Sequence, residues 1–155
     1  AEAASRIRKM SWYAATDHPR LYEEVEEKTR LVGWTSPWLS AEVVEYVRGL
    51  PPDVETSIRM ADGKPFEWSD NAPVLVVGDS FVDYAYSKGA TIGGQIARLL
   101  NVPVGAMPIA GNRTQAFQEM FRNPELLKGK KVVLWVVNSR LVFDANAWDR
   151  KFGPP

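Results

Sequence analysis

Residues 74–81 read VLVVGDSF. Four apolar residues, three of them valine, run without a break into Gly78-Asp79-Ser80. A run this short and this β-branched reads as a strand buried on both faces, the pattern of parallel strands covered by helices. Gly78 permits a tight turn where the strand ends. Asp79 and Ser80 then stand where a parallel strand delivers its C-terminal end to a ligand crevice. Ser80 is therefore a candidate nucleophile. The plainer account of Asp-Ser after a strand is a turn or a helix cap, so the tripeptide alone does not decide function.

Working downstream, GATIGGQIARLL (89–100) reads as a helix with Ile92, Ile96, Leu99 and Leu100 on one side. VPVGAMPIA (102–110) is a second strand. RTQAFQEMFRN (113–123) is a helix with Phe117, Met120 and Phe121 turned inward, and KKVVLWVVNSR (130–140) is a third strand. The order β-α-β-α-β with short connections predicts an α/β fold, a small doubly wound parallel sheet with flavodoxin-like winding. At 155 residues the chain suits a single domain, 1–155, with its α/β core at 73–143.

Upstream, residues 1–70 read as a helical and irregular N-terminal segment. Asp17-His18-Pro19 has the look of a helix start, with Asp17 as N-cap and Pro19 in the first turn. LYEEVEEKTRLV (21–32) would be that helix, with Leu21, Val25, Lys28 and Val32 at helical spacing and Gly33 closing it. A second helix is expected from Ser40, with Ala41, Val43, Val44, Val47 and Leu50 on its apolar side, stopped by Pro51-Pro52. Residues 53–72 hold turn signals at Asp62-Gly63 and Ser69-Asp70-Asn71, which predict a loop with one short hairpin.

Composition narrows the function classes. The chain is 45% hydrophobic and 25% charged, with a net charge of zero, so nothing points to nucleic acid or another polyanion as a partner. There are no cysteines, which excludes disulfides, thiol catalysis and Cys-ligated zinc, and is compatible with a periplasmic or other extracytoplasmic location. A single histidine, His18, excludes a multi-His metal site, and no metal or other cofactor is implied. No apolar run approaches the roughly 20 residues that span a bilayer. The opening AEAASRIRKM lacks the apolar core of a signal peptide and fits either a mature N-terminus or an artificial boundary. GATIGGQ is a pair of glycines opening a helix, with neither GxxxxGKS/T nor GxGxxG around it, so a nucleotide-binding loop is the weakest reading.

VLVVGDSF, PIAGNRTQAF (108–117) and PELLKGKKVVLWVVNSRLVF (124–143) together resemble the SGNH (GDSL-like) hydrolase superfamily. Within it they look most like the alginate O-acetyltransferase-like branch. The resemblance spans about residues 73–143. It places the family's nucleophilic serine on Ser80 and its oxyanion-hole glycine on Gly111. Asn138 occupies about the place of the oxyanion asparagine, without the family's Gly-x-Asn-Asp motif around it. Arg113, in GNRT, and Tyr86, in DYAYS, are positional candidates for the arginine and tyrosine that line the pocket in that branch. The bland readings of the same residues are a strand-end cap, a solvated helix start and a packing aromatic.

A serine hydroxyl needs a base, and the base needs an orienting carboxylate. The family's usual C-terminal Asp-x-x-His is not kept: Asp144 is followed three places on by Ala147. In the acetyltransferase-like branch an Asp-x-His precedes the serine, before a Trp and a Ser-Pro step. Aligning on Ser36-Pro37 puts Val32 and Trp34 at those two positions. The alternative is Asp17-His18, adjacent and 62 residues before Ser80. Adjacent side chains diverge at a helix start, so Asp79 or Asp83 would serve better than Asp17 as the orienting acid. The plain alternative for His18 is an exposed residue beside Pro19.

Two functions follow. One is a serine-dependent esterase or O-acetyltransferase acting on a carbohydrate, with Ser80 carrying the acyl group, His18 as base and N–H donors of Ser80, Gly111 and Asn138 holding the oxyanion. The other is a catalytically inactive SGNH-like subunit with a structural or binding role in a membrane-associated or exopolysaccharide assembly, engaging protein partners. Trp12, Tyr13, Trp34, Trp38, Phe66, Trp68 and Trp148 lie outside the strands and helices of the core. They suit an interface, sugar stacking or the domain's own core equally.

Overall fold

The computed structural model describes residues 1–29, 40–51, 53–78, 82, 91–108, 119–120 and 122–137. Two short helices come first, α1 (Glu2–Arg8) and α2 (Ser11–Ala14). Strand β1 (Tyr22–Thr29) follows, then helix α3 (Ala41–Gly49) and strand β2 (Asp53–Met60). The core contains β3 (Val74–Gly78), α4 (Ile92–Leu100), β4 (Val104–Pro108), a 3-10 turn at Pro124–Leu127 and β5 (Val132–Val136).

The three apolar runs line up as expected. β3 pairs in parallel with β4 on one side and with β5 on the other, giving the order β4-β3-β5. The first strand of this sheet in sequence, β3, is thus the central one, and the chain steps to one edge before crossing to the other. Every residue of β3 is buried, which is why Val74–Val77 needed no polar alternation. β5, at an edge, is only half-buried, and Val133 is exposed.

Both faces of β3 are packed. Val74 and Val76 join a cluster with Ile96, Ala97 and Leu100 of α4, Ala4 and Ile7 of α1, and Tyr22 and Ile58 of the β1–β2 pair. Leu75 and Val77 join Met120 on the opposite face, with Met107 and Trp135 against them. Met120 is helical and buried, as its place in the expected second helix requires. Among the described residues no helix is long and apolar enough to cross a membrane.

The expected helix over 21–32 is corrected. Residues 17–21 are irregular, so Asp17 caps no helix, and Tyr22–Thr29 is a strand. It pairs antiparallel with β2 along its whole length, from Tyr22 opposite Met60 to Thr29 opposite Asp53. Part of 53–72, expected as a loop, is therefore strand β2. The helical spacing of Leu21, Val25 and Lys28 lost to a non-local partner: Tyr22 and Ile58, on one face of the pair, are both buried in the core. Glu24 joins Arg98 of α4 at 2.8 Å. Such pairing energies depend on what lies across the strand, which local periodicity does not contain.

The short hairpin expected near Asp62-Gly63 is present. Met60 N–H donates to the Lys64 carbonyl, and Arg59 bridges to Pro65. The Asp62 carboxylate accepts from both the Lys64 backbone N–H and its ammonium. Those hydrogen bonds from Lys64 hold the Asp62 carboxyl below the usual carboxylate range. A carbonyl-detected NMR titration should show this, and Lys64→Gln should return the midpoint upward. An unchanged midpoint in the variant would mean the side-chain contact contributes nothing.

The helix expected after Ser40 is α3, ending before Pro51. Val43 and Leu50 of its apolar side are exposed rather than packed.

Candidate functional site

The site is built on the parallel strand ends. Gly78 stands level with Pro108 on one side and Val136 on the other, so three strands end in one rank. Neighbouring strands lie about 4.8 Å apart. In sequence, Ser80 follows Gly78 by two residues, Gly111 follows Pro108 by three, and Asn138 follows Val136 by two. Ser80, Gly111 and Asn138, with Tyr86, Arg113, Asp79 and Asp83, fall outside the described residues. So do Val32 and Trp34 of the alternative alignment.

Gly78 is required by the packing of this rank. A Cβ there would stand 2.6 Å from a methyl of Val82 and 2.8 Å from the Val136 carbonyl oxygen. Val82 itself is helical and fully buried, so the chain is drawn back against the sheet within four residues of the strand end. The next described residues are Thr91 and the helix it caps: the Thr91 hydroxyl accepts the Gly94 N–H at 3.1 Å. In a β-α-β unit with parallel strands this helix runs back along the sheet. Its first turn therefore starts on the side of the strand exits, and Leu100 ends beside the start of β4.

That first turn is wedged by Trp68. A Cβ on Gly93 would collide with the indole ring, which also meets Phe66 edge-on at 5.2 Å. Trp68 thus takes the place a side chain at 93 would occupy. Gly93 and Trp68 lie 25 residues apart in sequence, and nothing local in either stretch signals the contact.

His18 is placed elsewhere. Its ring stacks on Tyr13 with centroids 3.6 Å apart and planes 14° from parallel. Its Nε2 lies 2.7 Å from the Tyr13 carbonyl oxygen, so Nε2 carries the proton and donates. Nδ1 is buried and finds no hydrogen-bond partner among the described residues. The Tyr13 hydroxyl in turn donates to the Leu100 carbonyl at 2.8 Å, and the Arg8 guanidinium donates to the carbonyl of Leu99. These are the last carbonyls of α4, which lack partners within the helix. The imidazole is therefore held at the end of α4 that leads into β4. The rank at Gly78 lies at the other end of the strands, a five-residue strand away, or about 13 Å.

Asp17 is exposed, next to this stack. No group of three or more His, Asp or Glu side chains among the described residues is arranged to hold a metal ion. The role of Tyr13 went unread in the sequence, because one tyrosine in a short helix carries no local sign of a partner 87 residues away.

The sequence matches no family model and no curated protein. Among solved structures, the O-acetyltransferase domain of Pseudomonas putida AlgJ aligns with 96% of this chain and 50% of its own, at 18% identity and a TM-score of 0.53. Pseudomonas aeruginosa AlgX aligns with 87% of this chain and 30% of its own, at 10% identity and a TM-score of 0.48. The chain spans half the length of the AlgJ chain it matches. The resemblance of residues 73–143 to the alginate O-acetyltransferase-like branch is met at the level of the fold.

Proposed function

We propose that the chain is an SGNH-type domain whose acyl-ester pocket opens at the C-terminal mouth of a doubly wound sheet. We further propose that it acts there as a binding or structural subunit of an extracytoplasmic polysaccharide-modifying assembly. The observation that carries the pocket is the rank of strand ends: residues two or three beyond Gly78, Pro108 and Val136 are within about 7–10 Å of it by chain length alone. Ser80 would face the acyl carbon, N–H groups of Ser80 and Gly111 with the Asn138 amide would face its oxygen, and Arg113 and Tyr86 would line the wall. The fold of an O-acetyltransferase domain supports acyl esters of a polysaccharide as the ligand class.

The base decides between binding and catalysis. A general base must offer a free lone pair to the serine hydroxyl. His18 spends Nε2 as a donor to a carbonyl, and Nδ1 is enclosed. With one histidine in the chain, this favours a domain that holds an ester without cleaving it. The second reading, a serine esterase or O-acetyltransferase with His18 or a carboxylate as base, is favoured by the same rank of strand ends.

Hydrolysis of 4-nitrophenyl acetate separates the two. Wild type, Ser80→Ala and His18→Gln are expected to hydrolyse it at the same background rate. A wild-type rate tenfold or more above Ser80→Ala would establish the enzyme, and an equal loss in His18→Gln would make His18 its base. Binding is read separately. Adding O-acetylated oligosaccharide should shift the amide resonances of Gly78 and Val136, and unshifted resonances would remove the pocket.

A further inference from the structure

We draw no further inference here: the strongest candidate, the cavity of about 390 Å³ between the sheet face at Leu75 and Met107 and the 3-10 turn at Pro124–Leu127, is rimmed by exposed or half-exposed polar side chains whose cations already meet Glu125 and the Asp70 carbonyl, so nothing in it says which ligand it would take.

Discussion

Gly78→Val is expected to lower the melting temperature by about 6–12 °C, from roughly 3 kcal/mol of overpacking at about 2–4 °C per kcal/mol in a chain of this size. The first added carbon already lies 2.6 Å from a Val82 methyl and 2.8 Å from the Val136 carbonyl oxygen. The methyl can swing away. The carbonyl cannot, because β5 is held to β3 by its ladder from Val132 to Val136. Either β3 and β5 separate at their exits or Val82 leaves its buried place. Both outcomes disturb the strand exits on which the proposed pocket rests, so ligand-induced shifts at Val136 should disappear as well. Gly49→Ala is the control, since a Cβ there meets nothing within 4 Å. A Gly78→Val protein melting with wild type would show that the strand exits are not packed in this way.

Ile7→Ala is expected to cost about 2–5 kcal/mol in urea unfolding, the usual range for emptying a fully buried aliphatic site. Ile7 is 1% exposed and shares its cluster with Val74, Val76 and Leu100. With Ala4 one turn earlier it forms the inward face of α1, and the two helices that follow one another here are fastened to α4 through Arg8 and Tyr13. The N-terminal segment is thus part of the domain's core and carries His18 with it. If residues 1–18 were an appendage, Ile7→Ala would unfold at the wild-type midpoint.

The parallel core was readable because its signals are local. VLVV, VPV and VVLWV each announce a strand, and the stretch between the first two has helical period, although β5 is half-buried rather than buried as its apolar run implies. The β1–β2 pair was unreadable for the opposite reason. YEEVEEKT has too many acids for an ordinary strand and enough helical spacing to mislead. What makes it a strand is Ile58, Met60 and Arg98, which arrive 30 residues or more later. The Asp17-His18-Pro19 start failed with it. Among the candidate site residues, Ser80 was read from the end of an apolar run and Gly111 and Asn138 from the family resemblance. All three lie outside the described residues, and the register shows that the strand ends before them stand level. The place of His18 depends on a stack with Tyr13 and a hydroxyl bond to Leu100. Neither contact follows from residue type or spacing.

The separation between Ser80 and the His18 corner tests the account most directly. The chain has no cysteine, so Asp17→Cys and Ser80→Cys can each carry a single spin label without background. A dipolar distance beyond one strand length, about 13 Å, is the predicted result, because the proposed pocket puts Ser80 beyond the strand end at Gly78, whereas His18 is held where the strands begin. Labels found in contact would put the imidazole beside the serine and contradict the reading of this domain as an ester-binding fold without a base of its own.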